Sequence, residues 1–299
     1  MAAIRNWRIG LAVPGTLLIL LLLLCVPSMQ AVEQSFAPQC AACHEAIVKQ
    51  FGPTRHGKAD RFGWADFQSC ASCHGDVSAH LETGDPSKIW NPSKASLAES
   101  SAKCLACHNN EHNRTFWEGS LHEVSNVGCL SCHSVHHAKS AEKLLVKSSQ
   151  NDTCLTCHTN QRRALTQRST HLFRDELRRA MMQCGDCHNP HGSQTEKMLR
   201  ADSINDTCLH CHTEKRGPFL WEHSPVQENC MNCHAPHGSN NVNLLSLRVP
   251  QLCQTCHIQG KHQTVSGFAN SPWVLNRACL NCHAKIHGSN HPSGLKLHR

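Results

Sequence analysis

The pattern Cys-x-x-Cys-His occurs ten times in this chain of 299 residues and uses 20 of its 21 cysteines. The remaining cysteine, Cys25, lies in an apolar N-terminal segment, so every cysteine beyond that segment belongs to a motif. The motif cysteines are Cys40 and Cys43, Cys70 and Cys73, Cys104 and Cys107, Cys129 and Cys132, Cys154 and Cys157, Cys184 and Cys187, Cys208 and Cys211, Cys230 and Cys233, Cys253 and Cys256, and Cys279 and Cys282.

The spacing of the motif has a chemical reason. Cysteines three residues apart lie on the same side of a helical turn, so both thiols can bond to the vinyl groups of one porphyrin. The histidine that follows can then coordinate the iron, and C-x-x-C-H is typical of c-type haem attachment. Disulfides, redox-active pairs and zinc sites also use C-x-x-C, but none of them requires a histidine after each pair.

Ten motifs that all end in histidine therefore predict ten covalently bound haem c groups. The histidine of each motif is the predicted proximal ligand of the iron. These ligands are His44, His74, His108, His133, His158, His188, His212, His234, His257 and His283.

The second axial ligand of each iron is also predicted to be histidine. Methionine is the other common choice, but only Met181, Met182, Met198 and Met231 follow the N-terminal segment. The chain has 25 histidines, so 15 remain outside the ten motifs. Histidine is therefore the residue type that can supply all ten distal positions.

The motifs fall into five pairs, which predict five dihaem repeats at about 40–80, 104–136, 154–191, 208–237 and 253–287. Each repeat reads as a motif, a gap with a histidine, a second motif and a further histidine, at the period of a repeat array. The gap histidine follows the first motif by 11 to 14 residues in four repeats but by five in the last, which leaves His291 as the alternative to His262. The predicted distal ligands are His56, His80, His122, His136, His171, His191, His223, His237, His262 and His287.

Residues beside the motifs carry further predictions. In CHNPHGS (187–193) and CHAPHGS (233–239), proline precedes and glycine follows a predicted distal ligand. Pro190 and Pro236 restrict the backbone, whereas Gly192 and Gly238 permit a turn or a close backbone approach. In NDTCLTCH (151–158) and NDTCLHCH (205–212) the predicted helix caps are Asp152 or Thr153 and Asp206 or Thr207.

The composition predicts a fold built around the porphyrins. The 268 residues after position 31 leave roughly 27 per haem, below the about 40 that an unaided fold needs, and aromatic residues make up only 5%. We expect a multihaem cytochrome c forming an elongated haem wire, with short α-helices, irregular loops and little or no β-sheet. The segment 172–184 is the best candidate for a longer helix, and without haem no fold is expected.

The N-terminus predicts export. Arg5 and Arg8 precede an apolar run at 9–26, and PSMQA follows at 27–31, which indicates a signal peptide over 1–31 and a mature domain over 32–299. An uncleaved membrane anchor and a lipid-bearing Cys25 are the alternatives. The formal charge of +7 would be offset by haem propionates, so we expect no nucleic-acid partner.

Several stretches resemble the periplasmic decahaem cytochromes of the MtrA/DmsE type. These stretches are NDTCLHCHTEKRGPFLWEHSPVQENCMNCHAPHGS (205–239), PQLCQTCH (250–257) and CLNCHAKIHGSNHPSG (279–294). The resemblance implies ten low-potential haems with two histidine ligands each, in a wire inserted into an outer-membrane β-barrel porin. It also implies distal ligands at His223, His237 and His287.

By the same resemblance, the protein is expected to be an electron carrier and not an enzyme. Its implied partners are the porin, a periplasmic or inner-membrane quinol-linked cytochrome, and an extracellular multihaem cytochrome or terminal reductase. Extracellular metal or sulfoxide respiration, or inward flow from ferrous iron, would use such a route. The alternatives are a multihaem periplasmic reductase with one open haem site and a periplasmic shuttle without a porin.

Overall fold

In the computed structural model, residues 38–58, 70–109, 114–140, 143–171, 182–258 and 279–296 are described. They form short helices joined by irregular loops, and the longest are α1 and α4. The α-helices are α1 (Pro38–Phe51), α2 (Cys70–His74), α3 (Ser78–Thr83), α4 (Leu97–His108), α5 (Leu121–Val124), α6 (Cys129–Cys132), α7 (Gln150–Cys154), α8 (Thr159–Ala164), α9 (Cys184–Cys187), α10 (Ile204–Leu209), α11 (Ser224–Glu228) and α12 (Gln251–Gln254). The 3-10 helices are Pro86–Lys88, Glu196–Met198, Thr213–Lys215, Cys230–Asn232, Val242–Leu244 and Cys279–Asn281.

The described segments contain no β-sheet, as the sequence predicts. Backbone pairing outside the helices includes five isolated bridges. Three join a motif histidine to a leucine in the following loop, and two join a residue two positions before one histidine outside the motifs to a residue two positions after another. The bridges are His133 with Leu145, Ser169 with Ser239, His188 with Leu199, Trp221 with Ser289, and His234 with Leu245. The prediction for 172–184 falls largely on residues outside the described ranges, as does the predicted signal peptide.

Serine residues begin several of the helices that carry cysteines. Ser96 caps α4, because its Oγ accepts a hydrogen bond from Glu99 N at 3.3 Å while the Glu99 carboxylate accepts one from Ser96 N at 3.0 Å. Ser149 and Ser203 cap α7 and α10 through their side chains, which accept from Asp152 N and Asp206 N. These caps hold the first thiol of a motif in a helical turn.

The predicted caps at Asp152 or Thr153, and at Asp206 or Thr207, are therefore wrong. A cap accepts from a residue two or three positions later, and Asp152 is that later residue, since its N–H donates to Ser149 Oγ at 3.0 Å. The hydroxyl of Thr153 instead donates to the Ser149 carbonyl at 2.9 Å. The second copy repeats both bonds with Ser203, Asp206 and Thr207.

The polypeptide encloses little apolar volume of its own. In the described part of the chain the buried apolar side chains are Trp117, Leu144 and Leu145, and no side chain has less than 2% of its surface exposed. A conventional domain buries many aliphatic side chains completely. This pattern agrees with a fold whose interior is supplied by the prosthetic groups. Within the same residues, helices of the length and hydropathy needed to cross a membrane are absent.

Candidate haem-binding sites

The described residues include all ten motifs, and none of the twenty motif cysteines is paired in a disulfide. The first cysteine of each motif lies in a short helix, and the second cysteine and the histidine lie in the same turn or just after it. In α6 and α9 the helix stops at the second cysteine, and His133 and His188 then adopt an extended backbone. Both thiols of a motif are thus free to react while its imidazole turns toward the following loop.

Nine of the ten motif histidines face a histidine from outside the motifs. Transition-metal–imidazole bonds are about 2.0 Å long, and two imidazoles on opposite sides of one iron have ring centres about 6.2 Å apart. The observed separations run from 5.9 to 6.5 Å. The pairs are His44 with His80, His74 with His136, His108 with His56, His133 with His191, His158 with His122, His188 with His237, His212 with His171, His234 with His287, and His257 with His223.

Backbone carbonyls orient seven of these imidazoles. A carbonyl only accepts hydrogen bonds, so the ring nitrogen Nδ1 must donate, and this leaves the Nε2 lone pair for a metal. The distances from Nδ1 to oxygen are 2.7–2.9 Å. The bonds join His74 to Trp90, His80 to Asp85, His122 to Pro190, His133 to Lys143, His171 to Pro236, His188 to Lys197, and His234 to Asn243.

A loop after the second motif supplies the carbonyl in the three middle repeats. The carbonyl residue is followed by one with positive φ, at Leu144 (50°), Met198 (53°) and Leu244 (57°). The next leucine then bridges back to the motif histidine. This loop was not predicted, although its signal is present in the sequence as KLL, KML and NLL, nine or ten residues after the histidine of the second motif.

The imidazole pairs connect neighbouring repeats. A gap histidine faces the first motif of the following repeat, as His122 faces His158. The histidine after a second motif faces the second motif of the preceding repeat, as His191 faces His133. Only His44 and His80 pair within one repeat among the described pairs. The sequence predicted which histidines take part but not this exchange.

The proline and glycine residues beside the distal histidines lie at the junctions between repeats. The Pro190 and Pro236 carbonyls accept the Nδ1–H groups of His122 and His171. A Cβ atom on Gly192 would collide with the Phe116 carbonyl, and one on Gly238 would collide with the Ala164 carbonyl. The close approach predicted for the two glycines is confirmed.

The asparagine of the NDTC sequence joins the two motifs of one repeat. Asn151 Oδ1 accepts from Cys184 N at 2.9 Å, and Asn205 Oδ1 accepts from Cys230 N at 2.8 Å. Ser101 holds the equivalent position three residues before a first motif, and its Oγ lies 3.7 Å from Cys129 Sγ. The near-identical octets therefore position the second motif as well as the first.

The thiols show that consecutive motifs are also adjacent in space. Within repeats the first cysteines of the two motifs interact, and hydrogen bonding from Cys104 lowers the pKa of Cys129 to about 6. Cys154 likewise lowers the pKa of Cys184 to about 7. Between repeats the second cysteines interact, in the pairs Cys73 with Cys107, Cys132 with Cys157, Cys187 with Cys211, and Cys233 with Cys256. The attachment points therefore follow one another in sequence order.

The tenth motif histidine, His283, is described, whereas His262, the remaining predicted distal ligand, lies outside the described residues. The alternative, His291, is exposed, and its Nδ1 accepts a hydrogen bond from Ser293 N at 3.1 Å. Of the other described histidines, His210 is exposed, and His137 contacts Gln50 Oε1 at 3.0 Å.

Comparison with known proteins agrees with this geometry. The model of the doubled CXXCH motif matches residues 179–217 and 223–262, and that of the NrfB-like cytochrome c-type protein matches 70–157. Multiheme cytochrome MtrA of Shewanella baltica is 41% identical over 278 residues, which cover 88% of this chain and 81% of the relative. The chain therefore belongs to the MtrA family of multihaem cytochromes, which bind haem c covalently and transfer electrons.

Proposed function

We propose that this chain binds ten haem c groups, each held by two cysteines and by two histidines on its iron. The nine facing imidazole pairs, at separations that fit one iron between each two rings, carry this proposal. When bound, haem c supplies a one-electron couple between ferric and ferrous iron. The polypeptide fixes the ring orientations, directs Nε2 toward the iron and occupies both axial positions.

The exchange between repeats supports His262 as the tenth distal ligand. The gap histidines of the first four repeats face the first motif histidine of the following repeat, at His108, His158, His212 and His257. His262 holds the same gap position in the fifth repeat, and we assign it to His283 as a pair within one repeat. The first repeat contains such a pair, because His80 faces His44.

Electron transfer along the series is favoured by the order of the attachment sites. Cysteines of consecutive motifs interact from Cys40 and Cys70 at one end to Cys253 and Cys279 at the other. Porphyrins bound at adjacent thiols would lie close together, without a gap that another carrier must bridge. Each of the nine described pairs would fill both axial positions of an iron, which disfavours the alternative of a reductase with an open site.

We further propose that the protein acts in the periplasm and is inserted in an outer-membrane β-barrel porin. Membership of the MtrA family and the export signal predicted at 1–31 support this location. The conduit would connect a quinol-linked periplasmic or inner-membrane cytochrome with an extracellular multihaem cytochrome or terminal reductase. Metal or sulfoxide respiration, or inward electron flow from ferrous iron, would use the same arrangement.

Two measurements test the ligation. Intact mass spectrometry of the exported protein should show ten covalently attached haems. Low-temperature EPR of the oxidised protein should show low-spin ferric signals alone, because every iron has two nitrogen ligands. Markedly fewer haems would contradict the cofactor proposal. A high-spin signal that responds to cyanide would instead support the reductase.

The conduit role needs a separate test. The tagged protein should co-purify with a large β-barrel from detergent-solubilised outer membranes. Liposomes containing that complex and an internal reductant should then reduce an external ferric acceptor, whereas liposomes with the cytochrome alone should not. Recovery of the cytochrome as a free periplasmic monomer would favour the shuttle without a porin.

A further inference from the structure

The pair formed by His56 and His108 differs from the others in the angle between its rings. Six pairs are nearly parallel, with interplanar angles between 14° and 24°. His56 and His108 are perpendicular, at 88°, although their ring centres are 5.9 Å apart as elsewhere. The site that they form belongs to the third motif, at Cys104 and Cys107.

A cation lies against the proximal ring of this site. Arg114 Nε donates to the His108 carbonyl at 3.1 Å, and Arg114 Nη2 lies 3.1 Å from His108 Nδ1. A guanidinium is always charged and only donates hydrogen bonds. Once His108 binds iron through Nε2 and carries its proton on Nδ1, Arg114 would therefore act on the ring by its charge and not by a hydrogen bond to Nδ1. At His74, His133 and His188 the same ring atom faces a carbonyl oxygen. The electrostatic surroundings of His108 are thus reversed.

The sign of the effect follows from charge. An Nδ1–H bond to a carbonyl makes an imidazole a stronger donor to the metal and favours ferric iron. A nearby positive charge favours the ferrous form, because reduction removes one unit of positive charge from its vicinity. His56 acts in the same direction, since its buried Nδ1 has no acceptor among the described residues. The opposite case is His212, whose Nδ1 lies 3.8 Å from the Glu214 carboxylate.

We propose that Arg114 raises the reduction potential of the haem bound at Cys104 and Cys107 above those of the other described sites. This position would then hold an electron in preference to its neighbours. One electron passes from an adjacent ferrous haem, which becomes ferric, and neither a proton nor a covalent bond changes. The inference rests on the proposed ligation by His56 and His108, and Arg114 acts as a tuning residue through His108.

A potentiometric titration of the intact holoprotein, followed by EPR, tests the inference. The g value of a low-spin ferric signal rises as the axial rings depart from parallel, so the His56–His108 site at 88° should give the largest value, above that of the His122–His158 site at 64°. In the wild type that signal should disappear first as the potential is lowered. In Arg114→Gln it should titrate at a lower potential, by about 59 mV for each tenfold change in the reduced-to-oxidised ratio, and we expect about one such step.

Two further variants make the result specific. Arg114→Lys keeps the charge and should retain most of the wild-type potential. Arg200→Gln removes an equal charge from an exposed residue that donates to the Gly185 carbonyl at 3.0 Å, and it should leave the marker unchanged. If the wild-type signal titrates with or after the others, or if both glutamine variants shift it equally, the inference is wrong. The wild-type order decides the question even where Arg114→Gln fails to load haem.

A failure of the underlying ligation would look different. It would appear in the wild type as a missing haem mass or as a high-spin signal, whereas a wrong assignment for Arg114 leaves ten low-spin haems in a different redox order.

Discussion

The middle of the molecule and its N-terminal end use the same motifs but connect them differently. In the middle, His133 receives its facing imidazole from the following repeat, at His191. At the end, His44 receives its facing imidazole from its own repeat, at His80. Interior sites therefore join two repeats, whereas the end site pairs two histidines of the same repeat.

This difference shows how an array with so little apolar interior can hold together. A repeat protein is stable through the interfaces between its neighbouring units. Here the interfaces consist of short backbone bridges, such as Ser169 with Ser239, and of imidazole pairs across the junctions. If each pair binds one haem iron as proposed, metal ligation is both the redox centre and the connection between units, and stability should depend on haem at each junction.

The largest expected effect comes from omitting haem altogether. The chain produced without cytochrome c maturation should remain unfolded, because the described residues bury few apolar side chains and the interior would be missing. Circular dichroism and limited proteolysis would measure this. A protease-resistant apoprotein with native helix content would show that the polypeptide alone suffices.

The next largest effect should distinguish a substitution at an interior site from the same substitution at the end site. His191→Ala should leave the haem at His133 with an open position and should also loosen the junction between the second and third repeats. His80→Ala should affect the haem at His44 only. Both variants should show one high-spin haem by EPR, but only His191→Ala should give new protease cleavage between 133 and 191. Equal cleavage in both variants would contradict the difference between the two regions.

The sequence predicted the residues of the sites more completely than the pairing of those residues between repeats. The spacing of cysteines and histidines is local, so every motif and the nine paired outer histidines could be picked out from their recurrence. Which ring faces which depends on how repeats pack, and nothing within one repeat records that. The same holds for Arg114, whose contact with His108 is not marked by any sequence pattern.

Local hydrogen bonding explains the error over the helix caps. Asp152 and Thr153 are both good cap residues by type, and they lie directly before Cys154. The helix nevertheless starts earlier, at Ser149, and this places Asn151 on the side that faces Cys184. This contact joins the two motifs of the repeat, and residue propensities carry no information about it.

A smaller effect is expected at the glycines of the junctions. Gly238→Ala should destabilise the holoprotein by about 1–3 kcal/mol, because the new methyl group would press on the Ala164 backbone. Gly75→Ala is the control, since a Cβ there meets no atom within 4 Å and only its φ of +74° opposes alanine. Denaturant unfolding followed at the haem absorption band would compare them. A smaller loss for Gly238→Ala than for the control would argue against a tight junction.

The smallest effect on stability is expected at the N-cap of α10, which is Ser203 and not the predicted Asp206 or Thr207. Ser203→Ala removes the acceptor of the Asp206 N–H bond and should cost about 1 kcal/mol of unfolding free energy. Ser246→Ala, the same substitution at an exposed loop position, should cost less than about 0.5 kcal/mol. Because α10 also holds Asn205 against Cys230, the loss should slightly broaden the EPR signals of this repeat and leave those of the first repeat unchanged. A larger loss of unfolding free energy for Thr207→Ala than for Ser203→Ala would instead place the cap at the position that the sequence predicts. The helix would then begin too late for Asn205 to reach the second motif.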